Sequence, residues 1–586
     1  MLLNIAYRSR ITKFLLVQFL FLFSITNCIE SSRKDWNNSQ IIFLSLLRFV
    51  RAATTTTPSK PEKPIIQNLK ENSTVQSGFV IGTSTGSVSS IEVSLDSGSF
   101  EKATGTTTWS YKLPTGSKMW KRGSKHKITV RANNEGELSE TTIVNVRKGE
   151  NKDYNGDGYG DFVVSAHLTS GNDGAVYLFY SKGKEGVNAS SLSNADKVFT
   201  GALSNRFGEF VYCEDINNDG YADLILSAFQ ESSNKGAIYI YLSQGLTGIN
   251  DLTRKIAEPT NSDEFGSSVT SGDVNGDGFN DLIVGAQTKG GSNIGAVYIF
   301  HSGSNGVTAT SPSGANSIIS ETTSGSLFGS AVGIGDLNGD GFGDLIVGAR
   351  LFNSFKGRAY TFHSQGSNGI SSTNTSSANA TINVPSGITS FGKNLLVGDI
   401  NGDGFDDAYI SAHDDRKVFV YYSQGSSGLL SGNYSTIASK ILDASSAFSP
   451  LYGISIELND INLDGRLDLV VGAYQINSSR GAVYSYYTTS SNLNGTYVYN
   501  SSQNSTIVGN NSNDYVGYSI SLNDLNGDGV LDLISGSSDY INCGISGISG
   551  YGIFYDASKL SSSNINEANT KMFISNSPTC IGANVR

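Results

Sequence analysis

Asp273-Val274-Asn275-Gly276-Asp277-Gly278-Phe279-Asn280-Asp281-Leu282-Ile283-Val284-Gly285-Ala286 is the stretch that decides how this chain folds. It joins an Asp-x-Asn-x-Asp-Gly-x-x-Asp turn directly to an apolar run. The pattern occurs seven times, beginning at Asp153, Asp215, Asp273, Asp336, Asp399, Asp460 and Asp524, at spacings of 62, 58, 63, 63, 61 and 64 residues. A polar loop and a second apolar run follow each time, as in Gly295-Ala296-Val297-Tyr298-Ile299-Phe300. In six repeats an apolar or aromatic residue plus glycine stands eight residues before the first aspartate: Phe207-Gly208, Phe265-Gly266, Phe328-Gly329, Phe391-Gly392, Tyr452-Gly453 and Val516-Gly517. Units of about sixty residues, each with room for four short strands, predict an all-β fold, a seven-bladed β-propeller over residues 149–586.

Composition agrees. Of 586 residues 38% are hydrophobic and only 16% charged, which excludes a charged coiled coil and a disordered acidic or basic protein. A net charge of −11 argues against a nucleic-acid binder. Four cysteines are too few for a disulfide scaffold, so burial or metal must hold the fold. Cys543 and Cys580 are a candidate disulfide pair, with Cys213 left over.

The turn has its own chemistry. Oxygen-bearing side chains at positions 1, 3, 5 and 9, with glycine at 6, form a compact relative of the EF-hand loop, in which position 7 offers a backbone carbonyl. The first loop supplies Asp153, Asn155, Asp157, the carbonyl of Tyr159, and Asp161. The second supplies Asp215, Asn217, Asp219, Tyr221 and Asp223, and the third Asp273, Asn275, Asp277, Phe279 and Asp281. The fourth and fifth repeat this with Asp336, Asn338, Asp340, Phe342 and Asp344, then Asp399, Asn401, Asp403, Phe405 and Asp407. Asp460, Asn462, Asp464, Arg466 and Asp468 make the sixth; Asp524, Asn526, Asp528, Val530 and Asp532 make the seventh. All-oxygen ligation suits Ca²⁺, whereas zinc would want His or Cys. An isolated Asp-Gly segment is commonly a bare Asx turn, but three carboxylates in nine residues repel one another, and seven copies favour up to seven Ca²⁺. The loops hold 21 of the 52 acidic residues, so seven Ca²⁺ would carry the net charge from −11 to about +3.

The N-terminus reads as an export signal over residues 1–27. Arg8, Arg10 and Lys13 precede an apolar run from Phe14 to Ile25, which is short for a membrane span. Ile25-Thr26-Asn27-Cys28 resembles the lipobox of bacterial lipoproteins, with Cys28 as the candidate lipidated residue; Asn27 departs from the usual small residue. Ordinary cleavage, after Ala52, is the alternative, since a second short apolar run spans Ile41 to Val50. No transmembrane helix is expected. Residues 28–60 read as a polar tether ending in Thr54-Thr55-Thr56-Thr57-Pro58. Residues 61–148 alternate as strands do in Ile91-Glu92-Val93-Ser94-Leu95 and Ile128-Thr129-Val130-Arg131-Ala132. With Trp109 as its central core side chain, this stretch resembles the bacterial immunoglobulin-like modules, which implies a small β-sandwich serving as a spacer.

The Phe-Gly and Gly-Ala landmarks around the Asp-x-Asn-x-Asp-Gly loop resemble FG-GAP repeats, which build the seven-bladed propeller of integrin α subunits; the likeness covers about three quarters of the chain. Endings such as Tyr421-Tyr422-Ser423-Gln424-Gly425 look like the bacterial members. The proline of Gly-Ala-Pro is absent: His167, Phe229, Gln287, Arg350, His413, Tyr474 and Ser538 stand at or near its place. The integrin-type inserted domain is not visible either. The resemblance implies a surface or secreted protein, non-enzymatic, binding a protein or glycan ligand in adhesion. The competing class is an extracellular carbohydrate-active or phosphodiesterase-like enzyme, or its accessory module. The five histidines (His126, His167, His301, His363 and His413) are dispersed, and no nucleophile elbow, phosphate loop or His-Glu-x-x-His motif is present.

Two geometric expectations follow. The first repeat lacks its Phe-Gly landmark, and Cys580-Ile581-Gly582-Ala583 resembles it, so Ile581 to Val585 is expected to supply the inner strand of the first blade. The metal loops join first and second strands on one face. Loops between second and third strands, starting at His167, Phe229, Gln287, Arg350, His413, Tyr474 and Ser537, then lie on the opposite face and are expected to carry ligand contacts.

Overall fold

Each repeat forms one antiparallel sheet whose strands follow sequence order from the first outward. In the computed structural model the described residues are 58–114, 120, 122–168, 173–201, 205–445, 451–488, 496–498, 504–537, 548–554, 557, 562–564 and 568–575. Residues 61–134 and 138–586 form one compact unit; residues 1–60 with 135–137 form another, of which 58–60 and the turn at 135–137 are described. The signal, Cys28, most of the tether, Cys543, Cys580 and the proposed closing strand at Ile581 to Val585 lie outside the described residues. No helix among the described residues is long and apolar enough to cross a membrane.

Blade 3 shows the pattern. Its strands are Phe265–Gly272, Asp281–Ala286, Ala296–Phe300 and Ser317–Ser320, paired in that order. Blade 4 uses Phe328–Gly335, Asp344–Ala349, Arg358–Phe362 and Ala380–Asn383; blades 2, 5, 6 and 7 likewise have four antiparallel strands paired in chain order. Three are described in blade 1, Phe162–Ala166, Ala175–Phe179 and Lys197–Thr200. Every residue of Asp281–Ala286 is buried, because a blade packs both faces against its neighbours, and such a strand reads as an unbroken apolar run. Ile283, Val297 and Ile299 of blade 3, for example, pack with Val347, Tyr360 and Phe362 of blade 4.

The landmark residues make the seams between blades. Phe265, Phe328 and Phe391 are fully buried. Gly285 and Gly329 meet across the seam of blades 3 and 4, where a Cβ on Gly285 would lie 2.1 Å from the Gly329 carbonyl oxygen. Glycine is used there because two backbones touch. Gly348 meets Gly392 in the same way at the next seam.

Sequence reasoning missed a fifth strand in three blades. Gly432–Asn433, Thr496–Val498 and Ser562–Asn564, each from the following repeat, add in parallel to the outer strands of blades 4, 5 and 6. Segments of two or three residues are too short to show a strand period, so the pattern was silent.

Residues 61–134 and 138–148 make two facing sheets. One runs Ile65–Ile66, Phe79–Thr83, Thr108–Lys112 and Thr104–Gly105; the other runs through Thr74–Val75, Thr142–Lys148, Lys125–Asn134, Ser90–Leu95 and Glu101–Lys102. Trp109 fills the space between them, 1% exposed, beside Val80, Ile91, Val93, Ile128, Val130 and Val146. This module lies against the propeller through several side chains.

Candidate metal centre

In blades 2 to 7 the Asp-x-Asn-x-Asp-Gly turn connects the first strand to the second; in blade 1 it follows Thr142–Lys148 of the module and leads into Phe162–Ala166. In blade 3, Asp273 Oδ1 accepts from Gly276 N at 2.6 Å and Oδ2 from Gly278 N at 3.0 Å. Gly278 has φ +90, a conformation that a side chain would strain. Asn275 Oδ1 accepts from Asp277 N at 2.9 Å, and Asp277 Oδ1 accepts from Phe279 N at 3.0 Å. Asp281, the ninth residue, takes Val274 N at 3.1 Å and Ser302 N at 2.9 Å. The bond from the position-6 glycine to the first aspartate recurs in all seven loops, through Gly158, Gly220, Gly278, Gly341, Gly404, Gly465 and Gly529. One turn geometry therefore recurs in all seven repeats.

The ninth aspartates, Asp161, Asp223, Asp281, Asp344, Asp407, Asp468 and Asp532, are wholly buried. Burial, and then the neighbouring aspartates, push the carboxyls of Asp281, Asp344 and Asp407 up to about 8, against the lowering effect of their N–H bonds. Asp468 and Asp524 rise to about 7 for the same reasons. Asp161 and Asp223 rise well above the carboxylate range. Among the described residues no three His, Cys, Asp or Glu side chains close into a ready cage; the carboxylates are turned to the amides of their own turns. A carboxylate oxygen that accepts one N–H keeps acceptor capacity, and buried aspartates held together call for compensating charge. The donor set is oxygen only. It fits Ca²⁺, which Asp, Asn and the position-7 carbonyl would hold.

The sandwich module reaches this same face. Ser77 Oγ donates to Asp153 Oδ2 at 2.7 Å, and Asn68 Nδ2 donates to the Gly158 carbonyl at 3.1 Å. Gln76 Nε2 donates to Leu522 O at 2.9 Å while its Oε1 accepts from Asp524 N at 2.9 Å. Asn72 and Arg147 donate to the carbonyls of Leu463 and Gly465 in the sixth loop, and Lys112 to that of Asn218 in the second. A cavity of about 170 Å³ lies between module and blades, with Gln76, Trp120, Arg147, Glu214, Asp406 and Glu457 in its wall. None of these contacts was predicted.

On the opposite face the expected ligand residues are mostly turned inward. Phe229 and Tyr474 are 8% and 6% exposed, and Ser537 is buried. Tyr474 packs between Tyr515 and Tyr518, with ring centroids 6.0 and 5.0 Å away. His167 Nε2 lies 3.3 Å from Glu209 Oε2, and His413 Nε2 lies 3.3 Å from Asp414 Oδ1. Gln287 is tied to Glu264 at 2.7 Å, leaving Arg350 half-buried. The exposed positions come a few residues later, in turns of consecutive left-handed residues such as Asn353-Ser354-Phe355 and Asn477-Ser478-Ser479. Phe355 is 62% exposed. Their Asn and Ser content was the available signal.

His301 and His363 hold equivalent places, their backbone amides donating to Asn316 and Asn379, both at 2.8 Å. His126 pairs with Asp96 at 2.7 Å inside the module. Cys213 is buried.

Comparison with known proteins agrees with the repeat. Residues 265–300 and 328–362 match the FG-GAP repeat, and residues 153–226 match the FG-GAP-like repeat. Among curated proteins the chain is similar to integrin alpha-PS5 of Drosophila melanogaster, 33% identical over 32% of this chain and 19% of that protein. The chain therefore spans about a fifth of the length of that relative. Among solved structures it is similar to the Dos1 propeller, at a TM-score of 0.36 and 11% identity, covering 81% of this chain and 92% of that one. It also resembles a Bacillus licheniformis rhamnogalacturonan lyase at a TM-score of 0.30 and 12% identity, over 73% of this chain and 68% of that one.

Proposed function

From a β-propeller built on FG-GAP repeats, we infer that this is a non-enzymatic, exported, Ca²⁺-binding protein that presents a protein or glycan ligand site at the cell surface or outside it. The observation that carries the reading is the sevenfold carboxylate turn. Buried aspartates recur at every blade on one face, and Ca²⁺ there would stiffen the ring and leave the other face to bind. On the metal face, loops of blades 1, 2, 6 and 7 are already engaged by the chain's own module. Ligand contacts therefore belong on the opposite face, where loops on a rigid scaffold vary in length and chemistry. Arg350 and the exposed Phe355 are the side chains of the kind that anchor interfaces. The adhesion role rests on analogy with integrin α subunits, and fold likeness alone does not fix a ligand.

The experiment is a glycan array combined with a matrix-protein binding screen, run with Ca²⁺ and with chelator. The reading expects a ligand whose binding is lost in chelator and weakened by Arg350→Ala with Phe355→Ala at unchanged Ca²⁺ content. A footprint confined to the metal face, or turnover of a polysaccharide or phosphodiester, overturns it.

A further inference from the structure

We propose that the sandwich module is a positioning element for the metal loops of blades 1 and 7, so that Ca²⁺ in those two loops and docking of the module are one linked equilibrium. This rests on the Ca²⁺ reading above and goes beyond it. In loops 3 and 5 the donors to the first carboxylate, Asp273 or Asp399, are the loop's own amides. Loop 1 differs: Asp153 is wholly buried, and besides Gly156 N and Gly158 N it takes the hydroxyl of Ser77 on Oδ2. The carbonyl of Gly158, immediately before the position-7 residue, is held by Asn68.

Loop 7 is gripped differently. The Gln76 amide bridges the Leu522 carbonyl and the Asp524 amide, fixing the entry to the turn from both sides. Gln76, Ser77 and Asn68 are 5%, 5% and 3% exposed, so water does not stand in for these bonds. The module's backbone joins in, with Lys152 N donating to Gln76 O at 2.8 Å and Gly149 N to Val75 O at 2.9 Å. Partners one bond removed from a metal orient its ligands, and their loss typically costs 10–100-fold in affinity. The linkage is reciprocal: whatever factor docking adds to Ca²⁺ affinity, Ca²⁺ adds to docking. Through Gln76, Ser77 and Asn68 the module is thus a gauge of Ca²⁺ occupancy at loops 1 and 7.

The test uses the full chain, stripped with chelator and titrated with CaCl₂ in a calorimeter. Gln76→Ala with Ser77→Ala is expected to weaken two sites about 10-fold or more and leave five unchanged. Isotherms identical to the unaltered chain, or uniform weakening of all seven sites, overturn the coupling. A chain that takes up no Ca²⁺ overturns the metal reading and the coupling with it. Hydrogen exchange on the unaltered chain needs no variant: the Gly149 and Lys152 amides are expected to exchange faster in chelator. Equal protection with and without Ca²⁺ contradicts the proposal.

Discussion

The backbone amide of Gly160 in blade 1 donates to the carbonyl of Asp524 in blade 7, at 3.1 Å. The same bond joins Gly343 to Asp273 at 2.9 Å and Asp406 to Asp336 at 3.0 Å. The seam between the last repeat and the first is therefore built like the seams between consecutive repeats, and the ring closes on side chains as well. Phe162 lies 4.7 Å from Tyr551, ring centre to ring centre, within a cluster that also holds Leu525 and Ile534. A propeller escapes the hazard of exposed strand edges by this closure.

Phe162→Ala tests the closing seam. Phe162 is wholly buried, so its loss should cost about 3–5 kcal/mol in denaturant unfolding. A cost below about 1 kcal/mol would mean that blades 7 and 1 do not pack as described.

Gly285→Ala should destabilise by about 1–3 kcal/mol through overpacking, since its Cβ would meet the Gly329 carbonyl oxygen at 2.1 Å. Gly303→Ala is the control, with nothing within 4 Å of its Cβ, and should stay within about 0.5 kcal/mol. Equal effects in thermal melts would contradict the close approach of blades 3 and 4.

Lys393 gives a pH signature. Burial first, and then Arg350, lower its ammonium to about 8, while Glu209 and Asp414 act in the other direction. The folded value lies below the unfolded one, so between about pH 8 and 10 the unfolded chain binds more protons and stability rises with pH. Lys393→Met should remove that rise and add roughly 1–3 kcal/mol at pH 7, read by denaturant unfolding at several pH values. An unchanged pH slope would show Lys393 to be solvated in the folded state.

The parts legible in the sequence were those dictated by local geometry. Phe265-Gly266 and Gly285-Ala286 marked a repeating blade by their spacing, and Asp273 to Asp281 marked a turn by its Asx and glycine positions. Seven copies turned a weak motif into a fold. Tyr474 was read as an exposed contact, but burial there depends on Tyr515 and Tyr518 of the next blade, which no local pattern reports. Gln76 and Ser77 belong to none of the sequence motifs; their partners Asp524 and Asp153 lie 448 and 76 residues away. Long-range polar contacts leave no period in the sequence.

The central claim is that the seven carboxylate turns are metal sites. Bound Ca²⁺ per chain, measured by elemental analysis of protein dialysed at micromolar free Ca²⁺ and paired with melting curves in Ca²⁺ and in excess EDTA, tests it most directly. The account predicts about seven Ca²⁺ per chain, a marked fall in melting temperature in EDTA, and about six with Asp277→Ala. A chain that carries no Ca²⁺ and melts identically in EDTA would contradict it.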